Sequence, residues 1–218
     1  MLDSCASYPD IQMEKSDSKE KLILSAARQE FMSKGFAGAR MQDIADAAGA
    51  NKALVHYYYK SKENLFRIIF FEAVEKLVPQ LKSLIENKQL STIAKLEGLV
   101  DVYMDMLVAN PHLPLFVINE MHSNREVRKK GIQQLLHQLP IQDFIYEIRI
   151  STQKNEFKSF DPLHLLLNIL SMCVYPFVAA PLIQKLVQFS NKEYETFLLE
   201  RKNHVRIFVK SMVLNYEQ

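Results

Sequence analysis

The stretch from Gly35 to Leu65, GFAGARMQDIADAAGANKALVHYYYKSKENL, constrains this chain more than any other part of it. Met41, Ile44, Ala45 and Ala48 recur at helical spacing and give a short helix one small apolar face. Gly49 follows where that helix must stop and the chain must turn, a place that favours a residue tolerating positive φ. Asn51 is suited to cap the next helix by accepting a hydrogen bond from an otherwise unpaired backbone N–H. That helix, about Lys52 to Tyr58, is too short to be stable alone. Leu54 and Val55 must therefore anchor it to a scaffold while its other side chains point outward.

The outward set points to nucleic acid. No acidic residue lies between Asp46 and Glu63, while Lys52, Lys60 and Lys62 are interleaved there with His56, Tyr57, Tyr58 and Tyr59. Lysines neutralise phosphates and release counterions, and tyrosine and histidine donate to phosphate oxygens or touch base edges. Taken singly, each of these residues reads as core or as a solvated surface group. The ordered set, with its glycine turn and both helix starts, reads as a helix-turn-helix.

The run resembles the DNA-binding domain of the tetracycline-repressor (TetR) type regulators. Their pattern is a long first helix ending in F-x-x-x-G-F/Y, then x-x-x-x-x-I-A-x-x-A-G-V-S-x-x-x-L-Y-x-Y-F-x-S-K-E-x-L. Here Phe31, Gly35, Phe36, Ile44, Ala45, Ala48 and Gly49 match, followed by Val55, His56, Tyr58, Tyr59, Ser61, Lys62, Glu63 and Leu65. The match covers about Ser18 to Phe71. The chain departs from the pattern at Arg40, where Thr is common, at Ala50-Asn51 for Val-Ser, at Val55-His56 for Leu-Tyr, and at Tyr59 for Phe.

The resemblance implies an all-α fold: an N-terminal three-helix helix-turn-helix domain, then a C-terminal helical domain for ligand binding and dimerisation. It implies a ligand-responsive transcriptional regulator, a repressor, that binds a palindromic operator as a homodimer and is released by a small-molecule effector. Carried over position by position, Gln42, Lys52, Ala53 and Tyr57 fall where such proteins touch base edges, and Arg40, His56, Tyr58 and Lys62 fall where they hold phosphates. Gln42 can pair bidentately with adenine, and Lys52 can donate to guanine. Lys62 opens a helix whose dipole and free N–H groups also favour an anion.

Length and charge agree with this reading. With 218 residues, 48% of them hydrophobic, and only 5 Gly, the chain can bury one or two helical cores. The net charge of +2 is weak evidence for a nucleic-acid partner by itself. Its distribution says more, because residues 1–17 carry a net −3 and residues 18–64 a net +3. The expected domains are a disordered arm over 1–17, the DNA-binding domain over 18–64 with its reader at about 40–59, and the effector and dimerisation domain over 65–218.

The remaining helices follow from periodicity and caps. A first helix starts at Asp17 or Ser18, with Ile23, Ala27 and Phe31 inward, and ends near Gly35. Ser61 starts a fourth helix, striped by Leu65, Ile69, Ala73 and Leu77, that ends near Asn87, with Pro79 as a kink. Ser91 or Thr92 opens a helix stopped by Asn110-Pro111, and a short one covers about Leu113 to His122. Another runs from about Arg125 towards Ile150, disturbed at Pro140, before a polar connector from Ser151 to Phe160. Ser190 and Glu193 form a capping box for the last helix, striped by Tyr194, Phe197, Leu198, Arg201, Val205, Phe208, Val209 and Met212. The last two helices, about 162–187 and 191–214, carry more apolar surface than one small domain needs to cover; they could pack only within the chain, but the resemblance implies that they pair with a second copy as a four-helix bundle.

The effector site is the part on which the sequence says least. Tyr103, Met104, Leu107, Phe116, Glu120, Met121, His122 and Phe144 are the candidate lining of a cavity for an apolar or amphipathic molecule, and each taken singly reads more readily as ordinary core. Leu163 to Ile183 holds no charged residue and is long enough to span a bilayer. His164, Asn168, Ser171, Pro176 and Pro181 make it a poor membrane helix. Cys5 and Cys173 form no disulfide framework, and residues 1–16 lack the layout of a signal peptide, so a cytoplasmic location is expected. The six histidines show no metal-ligand spacing, and no Gly-rich phosphate loop or G-x-S-x-G is present, so neither an enzyme nor a cofactor is expected. Two other readings remain: an all-helical interaction module without DNA binding, and a membrane-anchored regulator.

Overall fold

The computed structural model describes residues 8–122, 133 and 137–215, with side chains from residue 19 onward except at 119–122. The chain forms two compact units, one ending at Glu72 and the other starting at Ala73. The division falls inside a continuous helix, past the 64/65 boundary expected from the motifs.

The first unit comprises α1 (Tyr8–Gly38), α2 (Met41–Ala47), α3 (Lys52–Tyr59) and the start of α4 (Lys62–Glu86). Of the arm expected over 1–17, residues 1–7 lie outside the described residues, and the backbone from Tyr8 is part of α1. Gly35 interrupts α1 with φ 68 and ψ 174, near the end that the sequence indicates. Ile23, Ala27 and Phe31 are buried as expected, and Ile44, Ala45, Val55, Leu65 and Ile69 join them. Phe66 meets Phe31 edge-on at 4.7 Å and Phe36 at 5.3 Å, which locks the ends of α1 and α4 together. A salt bridge between Arg28 and Glu72 adds a second tie between these two helices.

In the second unit the end of α4 contributes Leu77, Leu81 and Ile85 to a core shared with α5 (Thr92–Ala109), α7 (Ile141–Gln153), α8 (Pro162–Val178) and α10 (Asn191–Val213). Between α5 and α7 runs α6 (Leu113–His122), with the bounds the sequence indicates. Of the helix expected from Arg125 to Ile150, residues 123–132 and 134–136 lie outside the described residues. The described helix α7 begins directly after Pro140. The connector from 151 is less polar in its role than in its composition. Ser151 is buried against the Thr92 hydroxyl at 2.9 Å, and Phe157 is buried and bridges to Leu214. Lys95, almost fully buried, pairs with Glu147 at 2.7 Å, and Thr92 donates to the same carboxylate at 3.1 Å. These contacts tie α5 to α7 with most polar groups satisfied.

The uncharged run is not one helix, contrary to the expected span of about 162–187. It breaks at Ala179 into α8 and α9 (Ala180–Val187), bent by 72°, and no single described helix is long and apolar enough to cross a membrane. The reason is proline chemistry. Pro181 has no N–H to continue the ladder to Phe177, and its ring disfavours a helical residue before it. Pro176, one turn earlier, leaves the Met172 carbonyl without its usual donor. Arg201 of α10 donates to that carbonyl from Nε and Nη2 at 3.4 and 3.3 Å, and the Tyr194 hydroxyl donates to the Pro176 carbonyl.

The last helix carries the expected capping box: Ser190 Oγ accepts from Glu193 N at 3.3 Å, and the Glu193 carboxylate accepts from Ser190 N at 2.8 Å. Its expected stripe divides. Tyr194, Leu198, Val205 and Val209 are buried, whereas Phe208 and Met212 are exposed. On a further face, Lys202, Arg206 and Lys210, spaced one turn apart, meet Asp105, Glu97 and Asp101 of α5.

Candidate nucleic-acid interface

The turn between α2 and α3 is built as its residues dictate. Gly49 takes φ 58, and its N–H donates to the Asp46 carbonyl at 3.1 Å. The Asn51 side chain caps α3 by accepting from Leu54 N at 2.7 Å. Lys19 of α1 donates to the Gly49 carbonyl at 3.1 Å, a tie that no sequence signal announces. On the inner face of α3, Val55 and Tyr59 are buried. The Tyr59 hydroxyl donates to the Glu20 carbonyl at 3.0 Å, and burial pushes its pKa up to about 12. That bond accounts for a phenol standing where phenylalanine is usual.

On the outer face of α3, Lys52, Ala53, His56, Tyr57 and Lys60 are all exposed, at the i, i+4 spacing that puts them on one side. Tyr57 is 69% exposed, meets Tyr58 edge-on at 5.4 Å and carries the Lys60 ammonium 5.2 Å from its ring centroid. Tyr58 is half-buried between its two tyrosine neighbours. Arg40 stands at the N-cap of α2 without a capping side chain, as expected for Arg in place of Thr, and is exposed.

Two of the expected contact residues are already engaged. The Gln42 amide donates to Asp46 at 2.8 Å. Lys62 opens α4, but its ammonium donates to the Ala39 carbonyl at 3.1 Å and lies 4.6 Å from the Phe36 ring centroid. Lys62 therefore braces the first unit.

Two acids near the reader, Glu30 and Asp43, share one lysine. Lys34 bonds to Glu30 and Asp43 at 2.6 and 2.9 Å; these bonds raise its pKa, and its ammonium holds the Asp43 carboxyl below its usual range. Among the described residues Arg40, Lys52 and Lys60 enter no salt bridge. The outer face thus offers lysine charge, an imidazole and a phenol hydroxyl on one helix whose opposite face is buried.

The junction from α3 to α4 is tighter than its sequence announces. Lys60, with φ 61 and ψ −45, forms the rarer, positive-φ kind of γ-turn, closed by Ser61 N donating to the Tyr59 carbonyl at 2.6 Å. The Asn64 amide donates to the same carbonyl at 3.0 Å, and Asn64 N donates to Ser61 Oγ at 3.1 Å, so Ser61 starts α4 as expected.

The candidate effector residues are scattered in role. Met104, Leu107 and Phe144 are fully buried in the second core, and Tyr103 and Phe116 are half-buried. Burial, with Cys173 nearby, pushes the Tyr103 hydroxyl up to about 12. Glu120, Met121 and His122 lie on the last turn of α6, where side chains are outside the description. A shallow cleft of about 410 Å³ lies on α4 against Pro79, Lys82, Ser83, Glu86 and Asn87, and none of the candidate residues lines it.

Residues 23–69 match the family model described as "Bacterial regulatory proteins, tetR family". The HTH-type transcriptional regulator RutR of Escherichia coli K12 is 37% identical over 70 residues, which cover 32% of this chain and 33% of RutR. The match thus spans about a third of that relative's length. The probable HTH-type transcriptional regulator YttP of Bacillus subtilis is 24% identical over 200 residues, covering 88% of this chain and 94% of YttP. Among solved structures, the TetR family regulator PfmR of Thermus thermophilus superposes with a TM-score of 0.63 at 19% identity, over 90% of this chain and 96% of PfmR. At that identity the likeness speaks for the fold, an N-terminal helix-turn-helix followed by a helical region.

Proposed function

Because this chain belongs to the TetR family of bacterial regulatory proteins, we propose that it is a ligand-responsive transcriptional regulator that binds operator DNA. The observation that carries the reading is the outer face of α3, where Lys52, Ala53, His56, Tyr57 and Lys60 are presented together on a helix whose opposite face is buried. A major groove admits one α-helix, and this helix is short, exposed and free of acids. Gln42, Lys52, Ala53 and Tyr57 read base edges, with the Ala53 methyl suited to a thymine methyl. Arg40, His56, Tyr58 and Lys62 hold phosphates and set the register.

The protein acts as a homodimer in the cytoplasm and represses. Leu163 and Leu167 on α8, and Ile207, Phe208 and Met212 on α10, are exposed apolar side chains that a second copy would cover. A two-fold axis between such helices makes the operator a near-palindrome. An apolar or amphipathic effector in the second unit shifts the dimer to a state in which the reader helices no longer match their half-sites. A coupling of about 1–3 kcal/mol suffices for such a response.

The test is a salt titration of DNA affinity. Arg40→Ala weakens binding to all sequences and lowers the log–log salt slope by about 0.9, one phosphate's share. Lys52→Ala instead relaxes sequence preference. Lys62→Ala lowers both affinity and the stability of the first unit, because its ammonium also holds the Ala39 carbonyl. An unchanged slope in Arg40→Ala counts against its phosphate role, and affinity that ignores salt altogether counts against DNA binding.

A further inference from the structure

His56 departs from the tyrosine usual at its position, and the structure gives its two ring nitrogens different tasks. Nδ1 lies 2.9 Å from the Lys60 carbonyl oxygen, while Lys60 N donates back to the His56 carbonyl at 3.0 Å. A carbonyl has no proton to give, so Nδ1 carries the hydrogen and donates. The bond closes over the strained γ-turn at Lys60 and fixes the ring on the exposed face of α3. In the neutral imidazole that leaves Nε2 a bare lone pair facing outward. A lone pair repels a phosphate oxygen. A tyrosine hydroxyl in its place donates at any ordinary pH; while Nδ1 keeps its proton on the Lys60 carbonyl, this nitrogen donates only as part of an imidazolium.

We infer that His56 Nε2 holds a DNA phosphate only in its protonated form, so that each head takes up one proton when it binds DNA. The inference rests on the DNA-binding reading above. The local charges favour it. Lys52 and Lys60 stand one turn away on either side of the ring. A phosphate arriving between them brings the negative charge that a third cation there requires.

The ionisable groups on the other elements around α3 are Lys19 and Glu20 of α1, Arg40 before α2, Asp43 and Asp46 of α2, and Lys62 and Glu63 of α4. Lys19, Asp43, Asp46 and Lys62 have the partners described above. Free lysine, arginine and carboxylate side chains do not change charge near neutral pH, and His56 is the one histidine between residues 19 and 72. Binding-linked proton uptake near neutrality therefore reports on this ring.

The sign follows from linkage. A group that is protonated in the complex and neutral in the free head strengthens binding at low pH, and its contribution is lost as pH rises. The experiment measures affinity against pH, at fixed low ionic strength, for the duplex recovered by selection from a random pool. It uses the full chain and His56→Gln, with calorimetry of the unmodified protein in two buffers of different ionisation heat. Glutamine donates an N–H at every pH.

Measured across about pH 6 to 8, the unmodified protein loses affinity as pH rises, by up to about tenfold per pH unit for each head. The two buffers give apparent heats that differ by a net uptake of protons. His56→Gln binds with an affinity that is flat over the same range. Unmodified affinity that ignores pH, with equal heats in both buffers, overturns the inference, and the calorimetry decides this even if the variant does not fold. A pH dependence retained in a folded His56→Gln overturns it too. Failure to recover any duplex at any pH removes the DNA-binding reading itself, a result distinct from a duplex bound without protons.

Discussion

The chain breaks a helical course in two instructive places, between α2 and α3 and between α8 and α9. At the first, the signals that set the break are local. Gly49 takes the positive φ and Asn51 caps the next helix within three residues, and Lys19 of α1 adds a bond to the Gly49 carbonyl. At the second, Pro176 and Pro181 disrupt the hydrogen-bond ladder locally. The donors at the Met172 and Pro176 carbonyls come from Arg201 and Tyr194, on a helix that follows later in the chain. The difference teaches that a turn with its own punctuation is legible in a single sequence. A bend whose carbonyls are satisfied from elsewhere is legible only once the partner helix is in place.

The comparison is broken most severely at Tyr194. Its ring is buried, stacks on Phe197 at 5.7 Å and supports Phe189 at 6.3 Å. Tyr194→Ala should destabilise the second unit by about 3 kcal/mol, while Tyr194→Phe, which loses only the donor, should cost about 1 kcal/mol. Urea unfolding followed by circular dichroism separates the two. Equal costs would mean that the hydroxyl, not the ring, holds the bend.

Gly49 tests the local break. A Cβ built there meets nothing within 4 Å, so the cost of Gly49→Ala is backbone strain alone, about 1–2 kcal/mol at φ 58. Gly49→Asn should recover part of it, because Asn tolerates the left-handed region. A stability change of zero in Gly49→Ala would show that the turn adapts and that its geometry is not set by this residue. Asn51→Ala should cost about 1 kcal/mol by freeing Leu54 N, read in the same unfolding experiment.

The smallest effect appears only in alkali. Tyr59 has its pKa raised to about 12 in the folded head, against about 10 in an unfolded chain. A raised folded value means that its contribution is fully present below about pH 10 and is lost as pH climbs towards 12. Tyr59→Phe should remove that share of the alkaline loss, seen by comparing unfolding midpoints at about pH 9 and 11. Tyr103, also raised to about 12 by burial, should add a parallel loss in the second unit that Tyr59→Phe leaves in place.

Much of the first unit was readable because its signals are short-range and of several kinds. The apolar spacing of Ile23, Ala27 and Phe31, the Gly49 turn and the Asn51 cap all point to one answer, and the structure agrees with each. Sequence pattern could not reveal that Lys62 turns back to Ala39 or that Lys60 sits in a γ-turn, because nothing in a lysine announces where its ammonium or backbone will go. In the second unit the caps at Ser91 and Ser190 were legible, and so were the bounds of α6. The bend at Ala179 was not, since an uncharged run carries no phase from which to tell one long helix from two. On α10 the expected stripe was wider than the face that is covered, so it did not tell buried from exposed apolar positions. Lys202, Arg206 and Lys210 turn one side to the acids of α5 and leave Phe208 and Met212 outside. Most of the candidate effector residues are apolar, a property that core and cavity share, and Met104, Leu107 and Phe144 are buried in the second core.

The central claim, that α3 reads a major groove in a two-fold arrangement, is tested most directly by selecting bound duplexes from a random pool at low ionic strength and sequencing them. The account predicts enrichment of a near-palindrome whose half-sites lie about one helical turn or more apart, centre to centre. A pool that emerges unchanged, or one that converges on a single half-site without its mirror, would contradict it.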